Sequence, residues 1–172
     1  MKIKFLLLIS IIALSSCKKN NTKIDENSKF VKVWFDTVRT YPFKAKLIIN
    51  KNKTFEYRGG ACTSRFSSKG IWRIEKDTII LNSIKPKECL WKLNFGLFCL
   101  TPEEMRAGNA DDDNKTIKGC EPQGEESYEN FENEKFYFRN DTLIHKNDVN
   151  DKIVNCPKLK IAFSDKEKIK NR

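Results

Sequence analysis

The sequence predicts a mainly all-β fold, an antiparallel meander forming a sandwich or a partly open barrel, with one short helix in an inserted acidic loop. Two observations predict it. Apolar residues alternate with lysines along Phe43-Lys44-Ala45-Lys46-Leu47-Ile48-Ile49, the period of two that marks a half-buried strand. Short strand-forming runs recur between polar turns, and one hairpin pattern occurs twice.

Met1-Lys2-Ile3-Lys4 makes a basic start, and the apolar run from Phe5 to Leu14 is far shorter than the ~20 residues a bilayer-spanning helix needs. Such a run ahead of small residues is an export signal, so residues 1–16 read as a signal peptide. Leu14-Ser15-Ser16-Cys17 closes it. These four residues resemble the lipobox of bacterial lipoproteins; the resemblance covers only this N-terminal segment. It implies cleavage before Cys17, a diacylglycerol on the Cys17 sulfur, and an amide-linked acyl chain such as palmitate. It further implies export and lipid anchoring to the bacterial cell envelope. Lys18 stands where an aspartate would resemble an inner-membrane retention signal, which favours the outer membrane. Each buried methylene contributes about 0.8 kcal/mol, so several acyl chains on one residue anchor it durably.

Residues 17–28 read as the lipidated tether, because Lys18 to Ser28 is polar and lacks apolar period. One β domain follows over 29–164. Phe30-Val31-Lys32-Val33-Trp34-Phe35 is rich in β-formers and predicts a first strand. Residues 43–58 predict a hairpin turning at Asn50-Lys51-Asn52-Lys53, which Gly59-Gly60 ends or bulges. Ile71–Ile74 and Thr78–Ser83 predict a second hairpin. Its pattern returns at Tyr137–Ile144, both copies carrying Asp-Thr after the turn, where the carboxylate can accept backbone amides. Two copies are too few for a propeller or solenoid.

Leu90–Leu100 is the most apolar mature stretch and predicts one or two buried strands. Thr101-Pro102-Glu103-Glu104-Met105-Arg106-Ala107-Gly108 carries helix signals: Thr as N-cap, Pro at the first position, Gly as stop. Residues 109–130 lack apolar period and read as loop, so the acidic insert spans about 101–130. A last strand is expected over Lys158–Phe163, with a charged tail at 165–172.

Without its leader the chain keeps 31 basic and 23 acidic residues, a net +8. The charge is uneven: residues 101–134 carry eleven acids against Arg106, Lys115 and Lys118. Solvated strand faces and a solvated acidic loop account for this. The functional alternative is a basic body for anionic lipid or polysaccharide, with an acidic loop for a cation or basic partner. Beyond Cys17, the cysteines are Cys62, Cys89, Cys99, Cys120 and Cys156, and export places them where disulfides persist. Spacing does not fix the pairing. A Cys99–Cys120 bridge is preferred because it closes off the acidic insert. No CxxC occurs, which removes support for a zinc ribbon or a thioredoxin-like pair.

No convergent catalytic set emerges, and no metal or cofactor site is assigned. Asp111-Asp112-Asp113-Asn114 invites calcium, yet Lys115 and Thr116 fall where an EF-hand loop needs a ligand and a glycine. His145, the single histidine, sits at a lysine-bounded strand end and reads as a surface residue. Glu103 and Glu104 are explained by capping rather than glycoside chemistry. Net charge alone suggests nucleic acid, and no stacking-aromatic motif supports it. Trp34, Trp72, Trp91, Phe43, Phe55 and Tyr57 either line a pocket for an apolar ligand or fill a β core. The hairpins and the Gly70-Ile71-Trp72 strand followed by Asp-Thr resemble small lipocalin-like lipoprotein domains over about 43–83, which transfers no functional residue. The expectation is an anchored, non-enzymatic binding or interaction module for an envelope protein or polysaccharide. The alternative is a lipocalin-like carrier of a small apolar ligand.

Overall fold

The computed structural model describes residues 29–37, 44–61, 63–96, 114–146 and 161–166. Among these residues there are ten strands and no α-helix: β1 (Val33–Asp36), β2 (Lys44–Ile49), β3 (Thr54–Ala61), β4 (Ser64–Glu75), β5 (Thr78–Ser83), β6 (Trp91–Asn94), β7 (Glu126–Asn130), β8 (Glu134–Arg139), β9 (Thr142–His145) and β10 (Ala162–Ser164). Eight of them, in the order β1-β2-β3-β4-β5-β8-β9-β10, close into an antiparallel barrel when β10 pairs with β1. The all-β expectation holds, and the barrel is closed rather than partly open.

Alternation builds it. Ala45, Leu47 and Ile49 of β2 face inward with Phe55 and Tyr57 of β3 opposite them, while Lys44 and Lys46 face out. The turn between them is held by Asn52, whose Oδ1 accepts from Thr54 N (3.3 Å) and Thr54 Oγ1 (2.7 Å). The repeated hairpin is also present, as β4–β5 and β8–β9. Asn140 and Asp141 both have positive φ (49° and 54°), as a two-residue hairpin turn requires. The side-chain contact at that turn comes from threonine: Thr142 Oγ1 donates to Asn140 O at 3.1 Å.

Four expectations are corrected. The first strand starts at Val33, not Phe30; Phe30 sits in a turn, fully buried, and its carbonyl accepts Trp34 Nε1 at 2.8 Å. β3 runs through Gly59 and Gly60, and β4 begins at Ser64, well ahead of Ile71. A strand, β7, lies inside the expected 109–130 loop and pairs parallel with both β4 and β6, so the sheet is not a pure meander. β6 is a half-exposed edge strand, not a buried one. The terminal strand is described as Ala162–Ser164. The signal peptide, Cys17, the tether, Phe43, the Thr101–Gly108 helix and Asp111–Asp113 lie outside the described residues.

β5 meets β4 from Gly70 onward, whereas β7 flanks β4 at Arg65–Ser67. Ser83 stands at this fork. Its amide donates to Phe131 O (2.9 Å), its hydroxyl accepts Phe131 N (2.9 Å), and it pairs with the Ser68 hydroxyl at 2.7 Å. Outside the barrel, a Cys89–Cys120 disulfide joins the segment after β5 to the segment before β7. This corrects the Cys99–Cys120 expectation. Closing 31 residues instead of 21 changes the loop entropy by only about 0.3 kcal/mol, so loop size could not choose between the two partners. Cys62, Cys99 and Cys156 lie outside the described residues. Beside the bridge, the fully buried Thr116 accepts from Leu90 N (2.8 Å) and donates to Glu88 O (2.6 Å).

Candidate functional site

Two surfaces are available for function, the lumen of the barrel and its outer wall. The lumen is lined by Trp34, Leu47, Phe55, Tyr57, Phe66, Trp72, Leu81, Phe136, Leu143 and Phe163, all buried. Phe95 and Phe131 enter from the β6 and β7 ends and stack at 4.1 Å between centroids. Tyr57 meets Phe66, Phe95, Phe131 and Phe163 within 6.3 Å. Trp34, Trp72, Phe55 and Tyr57, named above as pocket or core, are therefore core; Trp91 is half-buried on the edge strand. Two glycines make room for these rings. A Cβ on Gly59 would lie 2.2 Å from the Phe66 ring, and one on Gly70 would lie 2.1 Å from the Asn82 carbonyl oxygen and 2.5 Å from Phe55.

Polar groups are set among the rings. Tyr57 and Ser68 are cross-strand partners, and the parallel register of β4 with β7 carries that row on to Glu129. Burial pushes the Glu129 carboxyl up to about 7. Burial, then the carboxylates of Glu129 and Asp36, pushes the Tyr57 hydroxyl well above its ordinary range, which keeps it a neutral hydroxyl. Asp36 Oδ1 accepts Ala45 N at 3.1 Å. On the opposite wall His145 is buried, its side chain only 4% exposed, with Nε2 2.6 Å from Glu134 Oε2. The surface placement expected of His145 is thus corrected. His145 is two residues from Leu143 and shares its inward parity; the lysine next to it is the outward neighbour. Its ring lies edge-on to Phe95 at 5.2 Å and against Phe136 at 4.9 Å. The contact to a carboxylate assigns the ring proton to Nε2, and Nδ1 is buried without a hydrogen-bond partner among the described residues.

Aromatic rings flank the imidazole, while the Glu134 side chain is 21% exposed. Among the described residues no three His, Cys, Asp or Glu side chains gather to hold a metal ion. A recess of about 390 Å³ opens outside the lumen, between Thr37, the Asn140–Thr142 turn and Ser164–Lys166. Its hydroxyl, carboxylate and amide lining does not suit an apolar cargo.

The outer wall differs in charge. All eight basic residues of the barrel strands, Lys44, Lys46, Arg58, Arg65, Lys69, Arg73, Lys135 and Arg139, lie on the outward side of their strands. Of the four acids in those strands, Asp36 and Glu134 lie on the inward parity, leaving Glu56 and Glu75 outside. Lys46 lies over the Phe35 ring at 5.2 Å, and Arg58 holds Glu56 at 2.6 Å. Alternation alone could have revealed this sidedness once each strand's parity was fixed. No protein-family model matches the chain, and no characterised protein or solved structure matches it.

Proposed function

We propose that the protein is an exported lipoprotein, anchored through Cys17 to the cell envelope, whose barrel is a non-enzymatic binding module. The leader Lys2 to Cys17 supports the anchor, and its lack of an aspartate after Cys17 favours the outer membrane. The observation that carries the module is the division of the barrel: rings packed on rings inside, all strand cations outside. A partner therefore meets the wall, which presents the long basic side chains of the barrel strands. An envelope protein and an anionic envelope surface both fit such a wall.

Affinity capture after cross-linking in intact cells, with the native lipidated chain as bait, tests this reading. A reproducible envelope partner, lost when wall cations are changed to glutamine, is the expected result. Capture of nothing beyond the bait's own background would remove it. The closed eight-strand barrel favours one second reading, a carrier of a small apolar ligand. Ring contacts across the lumen weigh against it, since cargo would have to part the Phe95–Phe131 stack and the Tyr57 cluster.

A further inference from the structure

The outer wall at β4 and just beyond β5 carries an apolar pair among cations. Ile71 is 54% exposed and Ile84 is 61% exposed. Ile71 pairs with Asn82 on β5, and the amide of Ile84 donates to Lys69 O at 2.8 Å, which extends the ladder beyond Ser83. Ile84 thus stands diagonally across from Ile71 on the same outward face, where diagonal neighbours lie about 7 Å apart. Lys69 and Arg73 flank Ile71 along β4, and Lys85 and Lys87 follow Ile84; all four are exposed. Acids border this face: Glu56 pairs across from Lys69 and is held by Arg58, and Glu126 accepts from Ser67 Oγ at 3.0 Å. Glu88 follows Lys87, and Glu75 lies beyond Arg73 at the hairpin end, so the four cations outline the apolar pair within a mixed rim.

We propose that this face, Ile71 and Ile84 ringed by Lys69, Arg73, Lys85 and Lys87, docks on a bilayer bearing anionic lipid headgroups. The cations meet the headgroup phosphates and the two isoleucines enter the interface. A soluble polyanion would use the cations but gain nothing from two isoleucines more than half exposed, whereas a bilayer interface buries them. The proposal deepens the anchored reading and rests on it for proximity. A lipid on Cys17 holds the barrel within twelve residues of the membrane at Lys29, so a weak face-on affinity suffices.

The test is vesicle co-sedimentation of the chain carrying Cys17→Ser, which is independent of the acyl anchor. Vesicles of phosphatidylglycerol with phosphatidylethanolamine are compared with phosphatidylcholine alone, and dextran sulfate is the soluble polyanion. Binding to the anionic vesicles only is expected. Each basic residue near an anionic surface changes partition about fivefold, so Lys69→Gln with Arg73→Gln should weaken it about 25-fold. Ile71→Ser with Ile84→Ser should weaken it several-fold with the salt dependence unchanged. Circular dichroism checks that each variant keeps its fold. No binding to anionic vesicles overturns the proposal. So does an equal loss from Lys44→Gln with Lys46→Gln, which would spread the effect over the wall. Dextran sulfate binding that is as tight as vesicle binding, with no effect of the serine variants, would replace the bilayer by a soluble polyanion. Failure of the anchored reading shows separately, as an unacylated Cys17 in the intact mass of the native chain.

Discussion

Glu129 gives this barrel a pH dependence opposite to that of most carboxylates. Its folded-state value is raised from 4.5 to about 7 by burial beside Tyr57. Between those values the folded chain binds more protons than the unfolded one, so Glu129's contribution is fully present below 4.5 and is lost as pH rises through 7. The full shift corresponds to about 3 kcal/mol, and the half-buried position reduces it to about 2 kcal/mol. Glu129→Gln should flatten this part of the stability curve and stabilise the chain by that amount above pH 7, read by urea unfolding across pH. A slope unchanged by the substitution would contradict the assignment. The Glu134–His145 contact makes a second prediction. Removing either partner strands the other's buried polar atoms, so each single change to leucine should cost about 2 kcal/mol and the double change less than their sum. A double-mutant cycle with no coupling would show the 2.6 Å contact to be energetically idle. The lysine beside His145 points to the surface, whereas its parity with Leu143, equally present in the sequence, points inward. Glu129 gave no such signal, because its row is set by a parallel pairing with β4 from some sixty residues earlier.

Strands whose inner face is large and apolar, β2, β3 and β5, were legible by alternation. β4 was legible only from Ile71 onward. Over Ser64–Gly70 its inner positions are Phe66, Ser68 and Gly70; Gly70 is small because Phe55 and the Asn82 carbonyl occupy the space and Ser68 pairs with the Ser83 hydroxyl, so the hydrophobic period fades there. Gly70→Ala should cost about 2–3 kcal/mol, since its Cβ meets backbone at 2.1 Å. Gly59→Ala should cost less, about 1–2 kcal/mol, because part of the obstacle is a ring that can turn. Thermal unfolding of both variants orders them, and equal tolerance would disprove the close approach. β7, Glu-Ser-Tyr-Glu-Asn, is polar and draws its stability from neighbours on both sides. Its lobe depends on the bridge: Cys89→Ser should cost about 3 kcal/mol. Non-reducing peptide mapping should recover Cys89 joined to Cys120; recovery of Cys99 joined to Cys120 would contradict this pairing.

Taken as one body, the barrel separates charge from apolar volume more completely than its composition indicates. The net charge of the chain says only that it is basic. Strand parity places every cation of the eight barrel strands on the wall and leaves the lumen to rings and aliphatic side chains, with Asp36, Glu134 and His145 inward and Glu129 of β7 beside Tyr57. That arrangement supports the proposal that a partner binds the outside. The fold class and most strands could be read from the residues, but which faces are enclosed could not, because closure through the β3–β4 pairing decides what is inside. Native mass spectrometry of the chain extracted gently from its own envelope tests this most directly. The expected species is a chain beginning at Cys17, heavier by its covalent acyl groups and carrying no other small molecule. A stoichiometric apolar adduct released on unfolding would contradict it and make the lumen the binding site.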